Sequence, residues 1–108
     1  MIFFFLELPK QPLINFMSVK SYNTIYLQIK PPPNDGLYYN TTITVREMNK
    51  VAIIDTIHLY DNAQSTNIGN LQNGTTYEIE IVTASYLGIS PSLIVNKTIP
   101  RMGKIKKI

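Results

Sequence analysis

Cysteine is missing from the 108 residues. Without a thiol there is no cysteine nucleophile, no iron–sulfur cluster and no cysteine-based zinc site. The absence does not assign a compartment, because a core of adequate size needs no disulfide staples. Histidine occurs once, at position 58. No stretch keeps a helical period, and none repeats internally. No hydrophobic run is long. The apolar start, MIFFFLEL, would span about 12 Å as a helix, well short of the roughly 30 Å hydrocarbon layer of a bilayer. It also lacks a basic leader and a small-residue cleavage site, so it makes a poor signal peptide. An unburied Phe3-Phe4-Phe5 run is an aggregation hazard. The segment reads as an added edge strand, a linker remnant or the end of something longer.

A chain of 12.3 kDa is one domain. At this size about two thirds of the unfolded surface is buried on folding, enough for a disulfide-free core. The net charge of +3 is unevenly placed. Arg101, Lys104, Lys106 and Lys107 fall in the last eight residues, while residues 1–100 carry six Lys/Arg against seven Asp/Glu, a balance of −1. The body therefore offers no basic face for nucleic acid. A short basic cluster at the end reads first as a solvated linker.

What is present is period-two alternation. From Tyr77, the residues Ile79, Ile81 and Thr83 share one side while Glu78, Glu80 and Val82 share the other, as in an antiparallel sheet with one dry face. Thr24–Lys30 alternates likewise, with Ile25, Leu27 and Ile29 opposite Tyr26, Gln28 and Lys30. Tyr38–Glu47 places Tyr39, Thr41, Ile43 and Val45 together. Weaker strands are predicted near Leu13–Lys20, over Val51–Leu59 with its alternation blurred at Ile53-Ile54, over Ser65–Ile68 and over Leu93–Thr98. Between them lie Pro31-Pro32-Pro33-Asn34-Asp35-Gly36, Met48-Asn49-Lys50 and Asn73-Gly74, all turn chemistry. Tyr86-Leu87-Gly88-Ile89 caps a hairpin. Seven short antiparallel strands in about ninety residues predict an all-β, immunoglobulin-like β-sandwich. It occupies residues 12–100, after an apolar segment at 1–11 and before a basic tail at 101–108.

These residues together resemble a fibronectin type III domain. TIYLQIKPPP matches the frame of the family's second strand, with Ile29 where the family usually has tryptophan. Leu71, Gly74, Thr75, Tyr77, Ile79, Ile81, Gly88, Ser90 and Pro91 match the spacing of its sixth strand and the following hairpin. Thr98-Ile99-Pro100 is similar to the module's usual exit. The resemblance implies a core built on Ile25, Leu27, Ile29, Tyr39, Ile43, Val45, Leu71, Tyr77, Ile79 and Ile81. It implies that Tyr77 serves as a tyrosine corner, its ring on Leu71 and its hydroxyl on upstream backbone. Two positions depart from the family. Ile29 in place of a large aromatic leaves a hole, which Tyr39 or Phe16 is expected to fill. Thr41 stands where a bulkier residue is usual.

The residues capable of chemistry read as structural. His58 and Asp55 are three apart in a strand and so point to opposite faces, and no nucleophile motif accompanies them. Glu78 and Glu80 suit a solvated face. Asn34-Asp35-Gly36 alone is too little for a calcium loop. No catalytic residue, cofactor or metal site is predicted. Asn40, Asn73 and Asn96 head three N-x-S/T triplets. The chain holds ten asparagines and sixteen Ser/Thr, for which chance gives about one or two triplets. Asn73 sits in a turn and is the best acceptor among them, although Asn-Gly is equally turn chemistry. At the hairpin tip, Tyr86, Leu87 and Ile89 are the candidate partner contacts, since exposed aromatic side chains often anchor interfaces.

The resemblance implies a non-catalytic spacer or protein–protein contact within a larger cell-surface, adhesion or receptor protein, with an extracellular location. Its partners would be other proteins or neighbouring domains of the same chain, with a membrane involved only through the parent protein. The alternative is an accessory domain of a multidomain enzyme, such as a receptor-type tyrosine phosphatase, with catalysis elsewhere. A cytokine-receptor type is disfavoured by the missing cysteines and Trp-Ser-x-Trp-Ser run. A cadherin-like or bacterial adhesin sandwich is the alternative at the level of fold.

Overall fold

A computed structural model describes residues 8–31 and 36–101. Phe3-Phe4-Phe5, most of the proline-rich turn with Asn34-Asp35, and Lys104 to Lys107 of the tail lie outside them. The described residues contain no helix and eight strands: β1 (Ile14–Ser21), β2 (Thr24–Ile29), β3 (Asn40–Glu47), β4 (Ile53–Leu59), β5 (Ser65–Ile68), β6 (Thr76–Ser85), β7 (Gly88–Ile89) and β8 (Leu93–Thr98). One antiparallel sheet has the order β1-β2-β5. The other runs β4-β3-β6, with β7 and β8 both on the far side of β6. The two sheets close face to face as a sandwich.

The count is eight rather than seven because the last strand is split. Ser85 pairs with Gly88 and Ala84 with Ile89, whereas Ile81 pairs with Leu93, a slip of one residue across Ser90-Pro91-Ser92. Proline has no N–H to give the ladder. Ser90 mends the gap locally: its N–H donates to Thr83 O at 2.8 Å, and its Oγ accepts the Thr83 N–H at 2.9 Å.

All ten residues assigned to the interior are buried. On β2, β3 and β6 the alternation maps directly onto burial. Leu59, Ile68 and Ile99 join the same cluster. Ile99 continues the inward series of Leu93 and Val95 past Lys97, one residue before Pro100.

Phe16 is not in the core. It is 53% exposed and packs against Tyr26, with ring centroids 6.1 Å apart, on the outer side of the first sheet. The cause is a bulge. Ile14 pairs with Ile29, but Phe16 pairs with Gln28, so the odd residue between them inverts the facing from Phe16 to Val19, where another shift precedes Ser21. In the other sheet an irregularity between Val45 and Arg46, opposite Asp55 and Ile53, accounts for the blurred Ile53-Ile54 pair, which lies exposed on the edge strand β4.

Candidate interaction pole

Antiparallel pairing gathers the loops into two poles. Asn40 lies beside Ala84, Thr41 beside Leu59, and Gln28 beside Ser65. The described loop residues 30–31, 36–39, 60–64 and 86–87 therefore share one pole with the N-terminal residues Leu8–Leu13. The turns 22–23, 48–52 and 69–75 share the other with Ile99–Arg101.

At this second pole the backbone is closely tied. The Gln72 N–H donates to the Tyr77 hydroxyl at 2.7 Å, Leu71 N–H to Asn23 O at 3.0 Å, and Gly74 N–H to Ile99 O at 2.6 Å. Gly74 has φ +74°, in the region glycine reaches without strain, and a Cβ there would strike the Arg101 side chain.

The first pole is built around Asn62, itself in a left-handed turn with Asp61. Its Oδ1 accepts the Tyr39 N–H at 2.7 Å, and its backbone N–H donates to Tyr39 O at 2.9 Å. Asn40 holds the same turn by accepting the Asp61 N–H at 3.1 Å. On this frame stand the tip residues. Tyr86 is 79% exposed and Ile89 65% exposed, while Leu87 is half-buried with its N–H on Ser85 Oγ at 3.1 Å. Sequence reasoning missed Tyr38 and Tyr60. Tyr38 is 72% exposed and lines a shallow cleft of about 580 Å³ together with Leu37, Ala84 and Tyr86. Tyr60 is exposed and stacks on His58. Both were legible: Tyr38 alternates with inward Tyr39, and Tyr60 alternates with inward Leu59.

A second cleft lies inward of this rim. Its volume is about 290 Å³, and Ile29, Tyr39, Thr41 and Thr83 line it beneath Pro9 and Pro12. The hole expected at Ile29 is thus present as a cleft. Tyr39 forms part of its wall, and the Thr41 and Thr83 hydroxyls pair at 3.3 Å. The described N-terminal residues border it: Pro9 is buried, and Gln11 Nε2 donates to Ser92 O at 2.7 Å. Gly88, at φ +143°, faces Leu8 so closely that a Cβ would collide with it.

The remaining polar groups serve the sheets. Arg46 sits on the outer face between Glu80 at 3.0 Å and Glu78 at 3.8 Å. His58 Nδ1 lies 3.3 Å from the Thr42 hydroxyl on the outer face, while Asp55 takes the register position beside inward Val45. Among the described residues no three His, Asp or Glu side chains converge. Asn40, Asn73 and Asn96 are all exposed, at the first pole, at the second pole and on β8 respectively.

No family model and no curated protein matches the sequence. Solved structures do match. The FN1-FN3 domains of chicken CNTN1 align at a TM-score of 0.72 and 16% identity over 87% of this chain and 33% of that one. Domains d3-d4 of the rat CD45 extracellular region align at 0.69 and 16% over 82% and 48%. This chain thus spans about a third of the CNTN1 fragment and half of the CD45 one. The sixth fibronectin type III domain of human fibronectin type III domain containing protein 3 aligns at 0.69 and 17% over 92% of each chain.

Proposed function

We propose that this chain, a sandwich with the fibronectin type III fold, is a non-catalytic spacer and protein-contact module of a larger cell-surface protein. One observation carries the reading. The described chain enters beside Gly88 and leaves beside Gly74, at opposite ends of β6. Ten residues of strand separate those points by about 30 Å. Such a module extends a row of domains rather than folding it back, and a load applied between its ends runs along the strands. The CNTN1 and CD45 fragments are multidomain, and the CD45 one is an extracellular region. The second of these facts supports placing this chain outside the cell. Tyr38, Tyr60, Tyr86 and Ile89 form the contact rim, because exposed aromatic side chains on a rigid frame bury large area at little entropic cost.

The test joins two copies through residues 101 and 8 and measures small-angle scattering. The expected particle is extended, with the two sandwiches end to end. A folded-back, compact pair sinks the spacer role. Expression in animal cells behind an added secretory leader gives a second arm: expected is folded protein in the medium carrying glycan on at least one of Asn40, Asn73 and Asn96. Retention of unmodified protein inside the cell counts against the extracellular placement.

A further inference from the structure

We propose that the cleft beneath Pro9 and Pro12 binds a small carboxylate with an apolar body of about two fused rings. The size comes first. A dry apolar cavity of about 150 Å³ takes one benzene ring. At about 290 Å³, this cleft has room for roughly two.

The wall decides the body of the ligand. Ile29, Tyr39, Pro9 and Pro12 supply apolar surface. The polar side chains among them are already engaged with the protein. Asn62 holds Tyr39 and Leu37, Gln11 holds Ser92, and Thr41 holds Thr83. A ligand entering here therefore meets no group that requires a new hydrogen bond, which favours an apolar body.

The rim decides the charge. Lys10 and Lys30 both line the cleft and both are exposed. No Asp or Glu is among the lining residues, and neither lysine forms an ion pair with a described residue. Asp61, a described acid at this pole, donates its backbone N–H to Asn40 and does not line the cleft, while Glu7 and Asp35, the acids nearest to the two lysines in sequence, lie outside the described residues. Two ammonium groups that meet no carboxylate among the described residues, set over an oily floor, select one negative charge at the mouth.

The test uses the intact chain and naphthoate, followed by amide chemical shifts. Naphthoate is expected to move Ile29, Tyr39, Thr41 and Thr83 saturably, with a Kd of roughly 0.1–1 mM. Uncharged naphthalenemethanol should bind about three- to tenfold more weakly, and naphthylmethylammonium more weakly still. Lys10→Met with Lys30→Met should erase the preference for the acid and leave naphthalenemethanol binding unchanged. Ile29→Trp should abolish both. If that variant does not fold, the lysine pair alone decides. Equal affinity for the acid and the alcohol in the parent chain overturns the proposal, as does saturable shifting confined to the outer face. Binding seen only after Phe3, Phe4 and Phe5 are all changed to serine also overturns it. That result would make the chain's own first residues the occupant.

Discussion

The two poles of the sandwich are closed by different means. At one, the buried Tyr77 ring belongs to the same core cluster as Leu71 while its hydroxyl takes the Gln72 N–H at 2.7 Å. At the other, no large ring among the described residues fills the corresponding space next to Ile29, which remains a cleft of about 290 Å³ with Tyr39 in its wall. An asparagine, Asn62, ties the backbone there instead. An aromatic side chain contributes packing and a hydrogen bond together, whereas an amide supplies only the bond. The contrast assigns stability to the Tyr77 pole and room for contacts to the other.

The comparison breaks first at Tyr77. Tyr77→Ala should cost about 3–5 kcal/mol, read as a fall in the denaturant midpoint at unchanged slope. A loss below about 1 kcal/mol would show that the two poles are closed alike. Tyr77→Phe keeps the ring and should lose about 1–2 kcal/mol, the consequence of leaving the Gln72 N–H without its partner. Hydrogen exchange at Gln72 should quicken in that variant, and unaltered exchange would argue against the corner. Ile29→Trp probes the open pole with the opposite sign. Filling the cleft should add about 0.5–2 kcal/mol and raise the melting temperature by several degrees. Destabilisation there would mean that the cleft walls cannot accept a ring. Phe16→Ala, on the exposed outer face against Tyr26, should shift stability by no more than about 0.5 kcal/mol. A core-sized loss would contradict its outward position.

Legibility followed the same division. β2, β3 and β6 are central strands paired on both sides, and their alternation maps onto burial without interruption. β1 and β4 are edge strands with irregular registers, and there the pattern misleads. Asn15 carries no mark of being the extra residue of a bulge, yet it turns Phe16 away from the hole that the sequence asked it to fill. Pro91 did carry its mark, since a residue without an N–H interrupts a ladder wherever it falls. Of the exposed rim side chains, Tyr86 and Ile89 were named from the turn, together with half-buried Leu87. Tyr38 and Tyr60 were left out because their loops are distant in sequence and meet only through β3 and β4.

The sequence alone determined the sandwich, its interior and the turn at Asn73-Gly74. These depend on side-chain period and local backbone preference, which act over two to six residues. Tertiary structure decided that the Phe16 ring faces outward, which loops form one rim, and where two lysines border the cleft at Ile29. Those outcomes depend on the register between strands. One unpaired residue reverses a face, and no local signal announces it.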